Sequence, residues 1–125
     1  VLPDDRRILG EVMKRLADSN IVDLIITTGG TGFSESDVTP EATLDIVERQ
    51  VPGIPEAMRA YSMQFTKRAM LSRAAAGIRK QTLIVNFPGS PKSLKESLEY
   101  ILPELIHGVE ILQGIAKECA APKEA

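Results

Sequence analysis

The chain's 125 residues are enough for one domain, and 43% of them are apolar, an ordinary supply for a globular interior. Fifteen Lys and Arg stand interspersed among 17 Asp and Glu, so there is no basic field of the kind that gathers nucleic acid. One cysteine, Cys119, and one histidine, His107, exclude an internal disulfide and a soft-ligand zinc or iron cluster.

No apolar run approaches the roughly 20 residues of a membrane-spanning helix. The opening Val-Leu-Pro-Asp-Asp carries no targeting stretch. A reducing cytoplasm is the compartment these features suit, with neither nucleic acid nor membrane as a partner.

Asp4, after Pro3, can cap a first helix whose apolar positions Ile8, Leu9, Val12, Met13 and Leu16 recur at helical spacing. Asp18-Ser19-Asn20 ends it with turn chemistry. Residues 21–28 are short, β-branched and apolar almost throughout, which predicts a strand buried on both faces. That strand runs into Gly29-Gly30-Thr31-Gly32. Thr39 and Pro40 then open a second helix as N-cap and first-turn proline, with Ala42, Ile46 and Val47 turned toward the core.

Pro52 and Gly53 punctuate the chain before a third helix, whose apolar stripe is Ile54, Met58, Tyr61 and Phe65. Residues 69–78 are Ala-rich yet bracketed by arginines and Gly77, and read as an irregular or antiparallel excursion. Residues 82–87 form the second clear strand, which ends at Pro88-Gly89-Ser90-Pro91. A long last helix follows, marked by Leu94, Leu98, Ile101, Leu102, Leu105, Ile106, Val109 and Leu112. Pro103 is expected to kink or divide it. Residues 117–125 read as a flexible tail on a domain spanning 1–116.

Strand, glycine turn and helix start thus occur twice, the pattern of a layered α/β domain. In open α/β sheets ligands collect at the C-terminal ends of the strands, where both turns lie. Gly29-Gly30-Thr31-Gly32 lets successive backbone amides face a phosphate without side-chain obstruction. It is neither a Walker loop nor Gly-x-Gly-x-x-Gly, and alone it equally describes a ligand-free tight turn.

Asp37 has two readings of equal weight from position alone. It is a carboxylate favouring the start of a helix, or a hard-oxygen ligand for magnesium beside a triphosphate. Asp4 poses the same question, and becomes functional only if the fold brings it beside Asp37. Ser90-Pro91-Lys92 combines free amides, a helix dipole and a lysine, although a plain N-cap before proline explains it better. Ser72-Arg73 and Arg79-Lys80 add cationic donors or are solvated surface. These residues point to phosphate-bearing ligands and name no reaction.

Five ordered stretches carry a resemblance: residues 23–32 (DLIITTGGTG), 37–43 (DVTPEAT), 52–59 (PGIPEAMR), 69–79 (AMLSRAAAGIR) and 82–92 (TLIVNFPGSPK). Together they resemble the molybdopterin adenylyltransferase family, which includes the bacterial MogA and MoaB proteins and the G domain of gephyrin. The resemblance implies a three-layer αβα fold with a mostly parallel sheet, assembled as a homotrimer or a hexamer. It also implies transfer of AMP from Mg-ATP to the terminal phosphate of molybdopterin, with release of pyrophosphate.

Carried over residue by residue, Asp37 matches a functionally essential aspartate and metal ligand, and Asp4 the second catalytic carboxylate. Thr28, Gly29, Gly30, Thr31 and Gly32 match nucleotide- and pterin-phosphate-binding backbone. Ser72, Asn86, Pro88, Gly89, Ser90 and Lys92 match further residues of the pocket. The family pattern places about one more strand–helix–strand unit, with a Ser-Asp-Arg motif, ahead of the Pro-Asp segment, so the domain reads as N-terminally incomplete. Glu35-Ser36 stands where many members have Pro-Arg, which exchanges a cation for an acid beside a phosphate site. A catalytically silent pterin-binding or scaffold homologue is the alternative reading.

Overall fold

The computed structural model describes residues 1–114. Cys119 and the tail expected over 117–125 lie outside the described residues.

Helix α1 (Arg6–Asp18) begins one residue later than the capping role of Asp4 would place it. The cap is Asp5, whose Oδ1 accepts the Ile8 N–H at 2.9 Å. Strand β1 (Leu24–Thr28) follows, then α2 (Thr39–Ile46) and a two-residue strand β2 (Arg49–Gln50). Helix α3 (Gly53–Ser62) leads through a 3₁₀ turn (Lys67–Leu71) into β3 (Ala76–Arg79), β4 (Thr82–Phe87) and the long α4 (Pro91–Leu112). The excursion expected over 69–78 is therefore the end of the 3₁₀ turn, an extended stretch and the first residues of an antiparallel strand.

The strands lie in the order β1-β4-β3-β2. β1 runs parallel to β4, with Leu24 opposite Leu83 and Thr28 opposite Phe87. β3 pairs antiparallel with both β4 and β2. The three-layer α/β architecture is as expected, but the sheet is mixed and not mostly parallel. The cause is local. β3 reaches β4 through Lys80-Gln81 with Lys80 at φ 53°, and a connection that short joins only antiparallel neighbours.

β4 carries the core. All six of its residues are buried, and alternate side chains serve opposite layers. Leu83, Val85 and Phe87 pack with Met58 of α3 and Ile101 and Leu105 of α4. Ile84 packs on the other face with Met13 of α1 and Ala42 and Ile46 of α2. β1 departs from the expected two-sided burial. The helices over β4 leave Ile26 38% exposed, because β1 stands at the sheet edge among the described strands.

α4 is not divided at Pro103. Pro103 and Glu99 are both exposed, so water can take up the carbonyl that the proline leaves without an N–H donor. No helix among the described residues is long and apolar enough to cross a membrane.

One ion cluster ties α1 to the β3–β4 turn. Arg79 Nε donates to Asp18 Oδ1 at 2.9 Å, and Arg79 Nη1 caps the Ile46 carbonyl at the end of α2. The Arg79 hydrogen bond holds the Asp18 carboxyl below the usual carboxylate range. A depressed folded-state pKa contributes stability that is fully present above the unfolded value of about 3.9 and is lost as pH falls through the folded one. Asp18→Asn should therefore lower the melting temperature at neutral pH. Melting curves across pH should show the gap closing progressively below about pH 4.

Candidate functional site

β1 and β4 end side by side, and both glycine turns leave from that edge. Gly29 N–H donates to the Phe87 carbonyl at 2.9 Å, continuing the pairing past the strand ends. Gly29 and Gly30 stand at φ 87° and 70°, a region that glycine occupies without steric cost. A Cβ on Gly89 would lie 3.2 Å from the Gly29 Cα, so the two turns are in contact. A Cβ on Gly30 would overlap Thr39 Oγ1. Thr39 is thus not the N-cap the sequence predicts but the first helical residue, pressed onto the loop, with its N–H on the Gly30 carbonyl at 3.2 Å.

Asp37 closes the loop. Its N–H donates to the Ser34 carbonyl at 2.9 Å, and its Oδ2 accepts the Ser34 N–H at 3.0 Å. A Cβ on Gly32 would come 2.8 Å from that same Oδ2, so the carboxylate rests directly against Gly32. The N–H groups of Gly30, Thr31, Gly32 and Phe33 meet no acceptor among the described residues. Four successive amides are therefore free to donate to an anion.

The loop opens onto a cavity of about 260 Å³. Thr31, Gly32 and Pro88 form the sheet-edge wall, and Ser72 with the 3₁₀ turn forms another. Met58, Arg59 and Ser62 enter from α3, and Ser93 and Ser97 from α4. Arg59 Nη1 donates to the carbonyls of Ser72 and Ala74, both at 3.1 Å, and Arg68 stands on the 3₁₀-turn side. Two cations in the wall of a small pocket suit an anionic ligand.

Of the residues singled out from the sequence, Thr31, Gly32, Ser72 and Pro88 line this cavity. Gly29, Gly30 and Gly89 shape the turns behind it, and Thr28 is the last residue of β1. Ser90 caps α4 by accepting the Ser93 N–H, and Lys92 is exposed in the first turn; neither lines the cavity.

Asn86 is fully buried on the opposite side of β4 from Phe87. Its Oδ1 accepts the Ala75 N–H at 3.0 Å, and its Nδ2 donates to Thr27 Oγ1 at 3.0 Å and Thr43 Oγ1 at 2.9 Å. Asp4 is exposed and makes no hydrogen bond or ion pair among the described residues. The start of α1 is fastened instead to α2 by the Arg6–Asp45 pair at 2.7 Å.

Arg59, Arg68, Ser93 and Ser97 were not singled out as site residues. Four-residue spacing puts Ser93 and Ser97 on the buried face of α4 with Ile101 and Leu105, but it does not say that this end of the face lines a cavity, and nothing local marks the two arginines. Arg73, read as a possible surface cation, is a clamp on the loop. Its Nε donates to the Gly32 carbonyl at 2.7 Å, and its other nitrogens reach the Asp37 carbonyl and Glu41 Oε2. The Arg73 hydrogen bond holds the Glu41 carboxyl below the usual range.

Among the described residues there is no group of three or more His, Cys, Asp or Glu able to hold a metal. Magnesium commonly takes one or two carboxylates and fills its shell with water and substrate phosphates. Asp37, beside four free amides, fits an ion that arrives with a phosphate-bearing ligand.

The model of a family described as a probable molybdopterin binding domain matches residues 1–107. The molybdopterin adenylyltransferase of Haemophilus influenzae is 46% identical over 115 residues, covering 92% of this chain and 57% of that protein. The Helicobacter pylori J99 protein of the same name is 40% identical over 114 residues, covering 91% of this chain and 65% of its own length. The chain thus spans about three fifths of the molybdopterin adenylyltransferases it matches. The crystal structure of the molybdopterin biosynthesis enzyme MoaB from Thermus thermophilus superposes with a TM-score of 0.82 at 46% identity, covering 90% of this chain and 70% of that one. Matched over most of its length in sequence and in fold, the chain belongs to the molybdopterin-binding domain family.

Proposed function

We propose that this chain is a molybdopterin adenylyltransferase domain, which transfers AMP from ATP to the terminal phosphate of molybdopterin as a cytoplasmic homotrimer. The observation that carries the reading is the contact between the Gly29 and Gly89 turns at the ends of parallel β1 and β4, with four free amides beside a cavity lined by Arg59 and Arg68. The names of the relatives supply the substrate and the reaction.

An oxygen of the pterin phosphate attacks the α-phosphorus of ATP in line, the bond to the β-phosphate breaks, and pyrophosphate leaves. Positioning and electrostatics do most of the work in such transfers. The loop amides of Gly30 to Phe33 would hold phosphate oxygens and stabilise charge growing on them. Arg59 and Arg68 would anchor the anionic ends of the two substrates, and the serines of α4 would complete the pocket. A magnesium ion bound at Asp37 would supply neutralisation of the triphosphate charge. Asp4 is the second carboxylate in this scheme by family resemblance.

Pyrophosphate release from Mg-ATP in the presence of purified molybdopterin tests the reading, and we expect it to depend on both substrates. Glu35 and Ser36, exposed just ahead of Asp37, favour a second reading as a silent pterin-binding homologue. Bound molybdopterin with no AMP transfer would establish that one instead.

A further inference from the structure

We infer that Arg73 is a positioning residue: it holds the 31–37 loop with its carbonyls turned away from the ligand, so that the loop amides face the phosphate. This rests on the reading of the loop as a phosphate site.

Four hydrogen bonds radiate from the one residue. Arg73 N–H donates to the Thr31 carbonyl at 2.8 Å, Nε to the Gly32 carbonyl at 2.7 Å, Nη2 to the Asp37 carbonyl and Nη1 to Glu41 Oε2. In a planar trans peptide the carbonyl and the following N–H point in opposite directions. Fixing the carbonyls of Thr31 and Gly32 on Arg73 therefore directs the N–H groups of Gly32 and Phe33 away from it. Those amides are among the four that meet no acceptor among the described residues.

A guanidinium presents its donors in a rigid planar fork and can serve several acceptors at once, whereas an ammonium is a point charge on a flexible stem. Glu41 braces the fork from the first turn of α2. Its Oε1 is buried without a partner among the described residues. Leaving such an oxygen unpaired is costly, and its position is explained if the pairing of Oε2 with Arg73 is what the site requires.

The test is Arg73→Lys, which keeps the charge beside Glu41 and loses the fork. Pyrophosphate and ATP are titrated into the full chain by calorimetry, in metal-free buffer and with magnesium, alongside thermal melting and the kinetics of AMP transfer. The expected result is a melting temperature within about 3 °C of the parent, with pyrophosphate and ATP dissociation constants raised about tenfold and the KM for ATP raised in step. Glu41→Gln, which leaves the three carbonyl acceptors in place, should show about a threefold loss of affinity, and carries the test if Arg73→Lys does not fold.

Parent-like affinity for pyrophosphate in the variants overturns the inference, as does a parent chain that binds neither anion. A parent that binds pyrophosphate but transfers no AMP, with affinity lost in Arg73→Lys, upholds the positioning role and removes the adenylyltransferase reading. A parent that transfers AMP, with Arg73→Lys equal to it in binding and turnover, does the reverse.

Discussion

Asp37→Asn is expected to fold as the parent does and to transfer AMP on the order of 100-fold more slowly. The amide oxygen of asparagine can still accept the Ser34 N–H now held by Asp37 Oδ2 at 3.0 Å, so the loop keeps its closure. The negative charge against Gly32 is what disappears, and with it the hard oxygen ligand we propose for an ion arriving with the triphosphate. Asp37→Ala would remove both and confound the two effects. Steady-state kinetics at saturating molybdopterin and varied magnesium check the point. Loss of turnover with the circular dichroism spectrum and melting temperature unchanged supports the metal role, and full turnover in Asp37→Asn would remove it.

Asn86→Ala is expected to destabilise the fold by about 3 kcal/mol, more than it weakens any ligand. One buried amide joins three segments: the extended stretch at Ala75, β1 at Thr27 and α2 at Thr43. Truncation leaves the Ala75 N–H without its side-chain acceptor and removes the donor to a hydroxyl in a fully buried threonine. A side chain that contacted substrate would instead lower affinity and leave stability nearly intact. Denaturant unfolding beside ATP titration separates the two, and an unchanged unfolding midpoint would overturn the structural role of Asn86. Because Ala75 lies three residues beyond Ser72, the same loosening should move the Ser72 wall of the cavity and weaken binding secondarily.

Much of the fold was legible because its causes are local. β-branched runs end in Gly29-Gly30 and Pro88-Gly89, and prolines sit in the first turns of α2 and α4, so two strand–turn–helix units that leave one sheet edge follow from periodicity and turn chemistry. The ordered motifs carried the family in the same way. What failed locally failed by small margins. Asp5 takes the capping role offered to Asp4, since the helix begins one residue on, and Pro103 stays inside α4 because its missing hydrogen bond falls on the exposed face.

The pocket itself needed the tertiary structure. Alternation along β4 puts Asn86 opposite Phe87, but in a strand covered on both sides the period does not say which face serves a ligand. The sheet turned mixed through a two-residue connection whose effect depends on what pairs with β3. Arg59 and Arg68 reach the cavity only because α3 and the 3₁₀ turn fold back over the sheet edge. Arg73 meets Gly32 and Asp37 across 41 and 36 residues of chain. A sequence displays which groups can donate, accept or carry charge and how neighbours along the chain turn. Long-range packing decides which of those groups converge, since each such contact depends on where several separate segments come to rest.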